Sequence, residues 1–360
     1  MSANKKRKGG LTMTEVLDVR KMRILQAIVD DYIMTASPVG SRTLSKREDI
    51  ELSPATIRNE MSDLTELGFL EQPHTSAGRV PSEKAYRLYV NNIMDKAKLT
   101  ESETAYIKSH LETRVSEVGE VIKQTARMLS GITNYTSVVL KPQLKNARLK
   151  RISLIPVTNG KALAVIVTNS GSTSNTMLSV PSGITAADLD RITSLMNERL
   201  AGYKLVDVQR TLLPLLREEI GEQADDVAAM LSSIGENINK QDVEIVGAMN
   251  MLDYPEYSDV AKAKSFLEQV ESGEYIKKVL STDDGVELTV RIGKEIENEE
   301  LRDCSLVSVS YKVGDETVGS MGVIGPTRMD YGKVVAVLKC MSESLSRVLS
   351  DMFRKNKDEQ

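Results

Sequence analysis

Residues 53–90 run "SPATIRNEMSDLTELGFLEQPHTSAGRVPSEKAYRLYV", and the spacing of their apolar positions changes twice along the way. Ser53 ahead of Pro54 reads as a helix start. The hydroxyl can accept from an amide of the first turn, and proline fits the first helical position, where no N–H is needed. Ile57, Met61, Leu64 and Leu67 then recur at three- and four-residue intervals, one buried stripe, and Gly68 can take the left-handed conformation that ends a helix. The opposite face carries Thr56, Arg58, Asn59, Ser62 and Asp63. Phe69 to Gln72 can run as a strand, "PHTSAG" as a turn and "RVP" as the return strand, with Pro73 and Pro81 stopping the ribbon from extending. Ser82-Glu83 then opens a further helix with Tyr86, Tyr89, Val90 and Ile93 on its apolar side.

Upstream, apolar residues from Val16 to Ile33 make a first helix stripe, "TASPVGS" breaks it, and a short helix follows over Ser41–Lys46 with Leu44 turned inward. Three helices with a tight turn before the third spell helix-turn-helix, and the hairpin behind them fits a wing. The hairpin tip brings together His74, Thr75, Ser76, Gly78 and Arg79. Hydroxyls, glycine and arginine without a carboxylate in the loop suit contact with a phosphate backbone or a minor groove. A histidine without a local acid or cysteine partner makes a poor catalyst. On the third helix, Arg58 and Asn59 have the chemistry for guanine and adenine edges in the major groove. Ser41, Arg42 and Thr43 read as backbone contacts or as helix caps.

The chain has 360 residues, 41% hydrophobic and 27% charged, enough for two or three domains with buried cores. No long apolar run suggests a membrane span or a secretory leader. Two cysteines, Cys304 and Cys340, give no disulfide framework and point to a reducing, cytoplasmic setting. Two histidines leave little material for a zinc site, and no phosphate-cradling motif occurs, so no cofactor is expected. The absence of Trp and the three Phe do not suit a base-stacking platform for single strands. The net charge of −4 is uneven, the first 98 residues being net basic and the rest net acidic. That balance suits a nucleic-acid reader on a body that does not touch phosphate. The basic opening "MSANKKRKGG", residues 1–10, reads as a disordered tail, either solubilising or a phosphate-contacting arm.

Ile107, Leu111, Val115, Val118, Ile122 and Leu129 predict one long amphipathic helix over 101–130, packing either on its own domain or on a second subunit. Strands follow at "TSVVL", "LKRISLIPV", "KALAVIVTN" and "STSNTMLSV", then a helix over "TAADLDRITSLMNERLAGY". Residues 205–280 read as mainly helical. "VELTVRIG", "CSLVSVSYKV" and "ETVGSMGVIGP" are strands, and a closing helix spans about Tyr331–Met352. Strands before and after a helical block imply one α+β domain with an insertion. Asp253, Glu256, Asp259 and Glu274 are available for chemistry in the acidic body, but all fall in helical, solvated contexts without histidine. Arg328 and Asp330 either serve function or lock the turn after Gly325-Pro326 by a local salt bridge.

"SPVGSRTL", the stretch 53–90, "GAMNMLDYPEYSD" and "GVIGPTRMDYGKVV" together closely resemble the HrcA family of heat-inducible transcription repressors, in order over roughly residues 12–352. The resemblance implies a winged-helix DNA-binding domain over 11–98 and a GAF-like α+β domain in two parts, 99–200 with its linker helix and 281–360. It also implies an inserted, mainly helical dimerising domain over 201–280. Function would be repression of chaperone operons through an inverted-repeat operator in double-stranded DNA, bound by a homodimer, with the GroEL chaperonin maintaining the active form. The family's operator-contacting elements fall on Ser53, Thr56, Arg58, Asn59 and Ser62 of the third helix and on His74, Thr75, Ser76, Gly78 and Arg79. The apolar helices within 205–280, containing Leu212, Leu213, Leu215 and Leu216, are the expected subunit interface. A regulator that senses a small ligand through its GAF-like domain is the alternative.

Overall fold

The computed structural model describes residues 17–75, 77–94, 98–111, 117–143, 148–157, 160–169, 173–221, 224–239, 242–282 and 286–358. The tail 1–10, Val16, Ser76 and Val115 lie outside the described residues. The architecture is α+β.

Helix α1 (Val19–Thr35) starts on Asp18, whose carboxylate accepts from the Lys21 amide at 2.8 Å. After α2 (Ser41–Leu44), helix α3 (Pro54–Glu66) begins as expected: the Ser53 hydroxyl accepts from the Thr56 amide at 3.1 Å, and Pro54 fills the first helical position. Gly68 ends it at φ +76°. Leu67, expected in the buried stripe, is instead the residue that closes α3 and is exposed. Strands β1 (Leu70–Glu71) and β2 (Val80–Pro81) pair antiparallel as a short hairpin, and Val39 bridges to Arg79 as a third edge. Helix α4 (Glu83–Leu88) runs on into a π-helical turn over Tyr89–Ile93. The single helix expected over 101–130 is two, α5 (Glu101–Leu111) and α6 (Val118–Thr133).

Strand β3 (Thr136–Leu140) is followed by β4 (Leu149–Val157), β5 (Lys161–Thr168) and β6 (Thr173–Ser179), then by α7 (Ala186–Leu200), α8 (Leu205–Ile220) and α9 (Ala224–Asn239). Next come β7 (Val243–Val246), two 3₁₀ turns over Ala248–Asp253 and Pro255–Tyr257, and helices α10 (Val260–Ser272) and α11 (Glu274–Thr282). Strands β8 (Leu288–Ile292), β9 (Cys304–Val313) and β10 (Glu316–Pro326) and helix α12 (Tyr331–Asp358) complete the order.

Two sheets result besides the hairpin: an antiparallel five-stranded sheet in the order β7-β3-β10-β9-β8, and a three-stranded one in the order β4-β5-β6. Successive residues of a strand face opposite sides, and β3 is buried along its whole length because both sides are covered. Val139 joins a core shared with α6 and α12, while Val138 and Leu140 join one with Phe266, Val270 and Ile276 of α10 and α11. The first of these cores is continuous with that of α1–α4.

A separate cluster runs from Leu149 to Leu231 and joins β4–β6 to α7–α9. Packing thus groups elements from both sides of residue 201. The three strands placed in the first part of the GAF-like domain share a core with the helices that follow, whereas α10 and α11 pack on the five-stranded sheet. Strand β7, within the block expected to be helical, pairs with β3. Leu212 and Leu216 are buried inside the chain's own cluster and Leu215 packs against it, so their apolar groups serve intrachain packing, while Leu213 is half-buried.

Candidate nucleic-acid interface

Helix α3 is held by one face and open on the other. Ile57 and Leu64 are fully buried and Met61 nearly so. Between them Glu60, also buried, receives the Lys21 ammonium at 2.8 Å and the Arg20 guanidinium at 3.4 Å. Lys21 reaches Asp63 as well, at 3.1 Å. Hydrogen bonds to Glu60 and then Asp63 push the Lys21 pKa above its ordinary value. Interhelical charge pairs in addition to the apolar stripe fix the roll of α3 about its axis. A second pair of carboxylates, Asp31 at 2.6 Å and Asp49 at 2.9 Å, holds Arg47 behind α2. Arg58, Asn59 and Ser62 consequently point away from the core and are exposed, as are Arg42 and Thr43 of α2.

The hairpin is braced against this helix. Arg79 exchanges both backbone hydrogen bonds with Val39, at 2.8 and 2.9 Å, and its Nε donates to Thr65 Oγ1 at 3.0 Å. Gln72 closes the tip by donating to the carbonyls of Thr75 at 2.9 Å and Ala77 at 3.2 Å. His74 and Thr75 are exposed there. Lys84 finishes α3 from below, donating to the Leu67 carbonyl at 2.8 Å and lying 4.3 Å from the centre of the Phe69 ring. A cation at the helix C-terminus is favoured by the helix dipole.

Some of the expected contact residues have other work in the structure. Ser41 is buried at the start of α2, so its side chain is not on offer to a ligand as those of Arg42 and Thr43 are. Ser53 and Thr56 are exposed or half-exposed but engage each other, hydroxyl to hydroxyl, at 2.9 Å within the cap. Gly78 is required by a close approach: a β-carbon there would sit 2.4 Å from the Val39 carbonyl oxygen. Sequence reasoning missed Thr65, Gln72, Lys84 and Lys21, which hold α3 and the hairpin in place. For Lys21 the signal was Glu60 on the buried face of α3, with Asp63 one turn on at its exposed edge, within reach of the same cation.

The body offers little chemistry. Asp259 caps α10 through the Lys262 amide at 2.9 Å, and Glu256 pairs with Arg328 at 2.6 Å, so two of the four acidic residues noted there are engaged separately. Cys304 is buried against the Tyr257 hydroxyl at 2.8 Å, and burial pushes its thiol up to about 12. Such a thiol is a poor nucleophile. No group of three or more His, Cys, Asp or Glu among the described residues could hold a metal ion, and no helix among them is long and apolar enough to cross a membrane. Asp330 accepts from the Lys333 amide at 3.0 Å and starts α12. Arg328, expected in a local salt bridge if structural, reaches Glu256 72 positions away.

The chain is similar to known proteins along nearly all its length. Residues 119–335 match the family described as the HrcA protein C terminal domain. Relatives named heat-inducible transcription repressor HrcA are 39% identical in Acetivibrio thermocellus, 41% in Pelotomaculum thermopropionicum and 41% in Brevibacillus brevis. Each alignment covers 94% of this chain and 98%, 98% and 100% of the respective relative. A crystal structure described as that of a hypothetical protein at 2.2 Å resolution aligns with a TM-score of 0.65 at 24% identity, over 93% of this chain and 99% of the other, a likeness of fold. With a matching family model over more than half its length and relatives of this identity end to end, the chain belongs to the HrcA family of heat-inducible transcription repressors.

Proposed function

We propose that the chain is a homodimeric, cytoplasmic repressor that reads an inverted-repeat operator in double-stranded DNA and controls chaperone operons. In this reading α1–α3 and the hairpin are a winged-helix reader, and the five-stranded sheet with its flanking helices is a GAF-like domain. The cluster of β4–β6 and α7–α9 is the inserted dimerising domain. The observation that carries the reading is the outward pair Arg58 and Asn59 on a helix whose inner face is pinned by Lys21, Glu60 and buried aliphatic residues. Arg offers two donors to guanine O6 and N7, and Asn pairs with adenine N6 and N7. Ser62 extends that face, Arg42 and Thr43 reach the backbone, and His74, Thr75 and Arg79 follow the adjacent groove or phosphates.

One such reader covers only a few base pairs, so useful specificity needs two half-sites and therefore two subunits. An apolar row crosses the outer side of the three-stranded sheet, where Ile155 pairs with Leu163 and Leu163 with Met177. Ile155 and Met177 are about half exposed, at 47% and 53%. That side, opposite the one covered by α7–α9, is the surface we assign to the second subunit. The chaperonin dependence is supported by topology: Ser137 and Val246 meet from 109 positions apart, across the whole insertion. Late closure of so long a loop exposes unpaired strand edges during folding.

The test is a selection of bound sequences from random duplexes, with the parent chain and with Arg58→Ala and Asn59→Ala. The parent should recover an inverted repeat, and each variant should lose about 1–3 kcal/mol of discrimination at one position of each half-site while remaining folded. Recovery of no common sequence by the parent, with chaperonin present, would remove the operator reading.

A further inference from the structure

Two arginines outside the reading face tie the reading elements to the rest of the chain. Arg328 lies in the turn between β10 and α12 and is buried, 8% exposed. Its Nε and Nη2 hold the Glu256 carboxylate at 2.6 and 3.3 Å, and its Nη1 donates to the Ile33 carbonyl at 3.0 Å. Ile33 stands in the last turn of α1, where carbonyls lack a partner within the helix and a cation is favoured. The guanidinium also sits 5.4 Å from the centre of the Tyr254 ring. Arg87, in α4, makes the second tie. Its Nε donates to Glu295 at 2.9 Å, its Nη2 binds the other oxygen of that carboxylate, and the same Nη2 donates to the Val290 carbonyl of β8 at 2.7 Å.

The two ties act at different ends of one unit, the C-terminus of α1 and the helix that follows the hairpin. Between them lies an apolar contact, with the rings of Tyr86 and Tyr331 centred 6.1 Å apart. Apolar packing alone permits small rolls and slides because it is non-directional. A planar guanidinium that grips a carboxylate with two nitrogens and also donates to a backbone carbonyl is directional, and a lysine cannot reproduce that geometry. Two such grips at separated points fix rotation as well as position.

We propose that Arg328 and Arg87 are positioning residues for operator recognition, setting the angle at which each subunit presents α3 and hence the half-site spacing the dimer accepts. The proposal rests on the reading of the chain as a dimeric operator-binding repressor. Each base pair added between half-sites moves one of them by about 3.4 Å along the duplex and about 35° around it. Readers held rigidly at one angle accept one spacing, and readers on a loosened mount accept several.

The experiment uses the full chain and three kinds of duplex: the inverted repeat recovered by selection, the same repeat with its spacer changed by one, two or five base pairs, and a duplex with a single half-site. Arg328→Lys and Arg87→Lys are compared with the parent, with thermal unfolding as a check of folding and Arg87→Ala as a second variant at the more exposed tie. The parent should lose at least about 10-fold in affinity on a changed spacer. The variants should lose less than about 3-fold there while binding the single half-site within about 2-fold of the parent. Spacer discrimination unchanged in all variants would overturn the proposal. A loss of half-site binding equal to the loss on the full operator would do the same, because the arginines would then serve folding of the reader. A parent chain that binds no duplex would remove the operator reading and the proposal together.

Discussion

The Nε of Arg79 donates to Thr65 Oγ1 at 3.0 Å, which fastens the return strand of the hairpin to the last turns of α3. Helix and hairpin are thus braced as one unit, and under the proposed reading the Arg79 charge is spent on a phosphate. Arg79→Ala should weaken binding to all duplexes alike and reduce the dependence of log K on log salt by about 1, the mark of one lost phosphate contact. Thr65→Val keeps the charge but frees it, so the salt dependence should stay near the parent's while affinity falls by a smaller factor. Titrations at several salt concentrations separate the two outcomes, and a change in sequence preference on loss of Arg79 would mean that it reads bases.

Gly78 tests the other brace. A methyl group at this position would sit 2.4 Å from the carbonyl oxygen and 2.5 Å from the carbonyl carbon of Val39, both backbone atoms that cannot swing aside. Gly78→Ala should separate the return strand from Val39 and lower stability by about 1–3 kcal/mol, the usual cost of overpacking. Denaturant unfolding gives the stability change. Operator affinity should drop for all sequences because the hairpin moves as a unit.

Where structure followed from short-range chemistry, it could be read directly from the sequence. Ser53-Pro54 starts α3, Gly68 ends it, and β9 and β10 span Cys304–Val313 and Glu316–Pro326 as their alternation and turn residues required. What depended on distant partners could not. Strand β7 is four half-buried residues whose identity as a strand comes from pairing with β3. The strands β4–β6 have the pattern of any meander, and nothing local tells that Ala162 and Ala164 lie under α7–α9 instead of joining the larger sheet. In the candidate site, the exposed Arg58–Asn59 pair was legible from helix periodicity. The Lys21–Glu60 pair and the Arg328–Glu256 pair were not, because a charge does not announce a partner 39 or 72 positions away.

The start of α7 carries a pH dependence. Asp188 accepts from the Thr185 hydroxyl at 2.7 Å, the Thr185 amide at 2.9 Å and Arg191 at 2.6 Å. The hydroxyl first, then the amide and the guanidinium, lower its pKa from 3.8 to about 2. A carboxylate with a depressed folded-state pKa stabilises the fold fully above its unfolded value, and that contribution is lost as pH falls through the folded one. Asp188→Asn should therefore be less stable than the parent near pH 6, with the difference closing between about pH 4 and pH 2. Urea unfolding across that range measures it, and a constant difference would remove the carboxylate as its source.

The outer side of the three-stranded sheet makes a prediction distinct from that of the helices behind it. Leu163→Glu combined with Met177→Glu places two charges in the apolar row and should yield a monomer in light scattering with unchanged circular dichroism. Leu216 is fully buried in the chain's own cluster. Leu216→Ala should therefore cost about 2–5 kcal/mol of stability, as large-to-small core changes do. A double glutamate variant that remains dimeric would move the interface to another surface.

Heat control makes the last prediction. The five-stranded sheet needs β3 to find β10 and β7, yet β4–β6 and α7–α9 intervene between β3 and β7. High sequence separation between paired strands slows folding and leaves edges unpaired meanwhile. A chain in that state is a natural client for a chaperonin and aggregates when chaperonin is occupied by other heat-damaged chains. Loss of active repressor would then release transcription without a dedicated temperature sensor. Denatured chain refolded with the GroEL chaperonin should recover more operator-binding activity than chain refolded alone, and the gap should widen toward heat-shock temperature. A variant lacking residues 148–239, with β3 joined to β7 by a short linker, loses the proposed dimer surface, so its refolding is followed as recovery of soluble folded chain; the gap with and without chaperonin should narrow, because the closing loop is then short. Equal recovery of the full chain with and without chaperonin at every temperature would assign the heat response to a different cause, with a ligand of the domain built on the five-stranded sheet next to be tested.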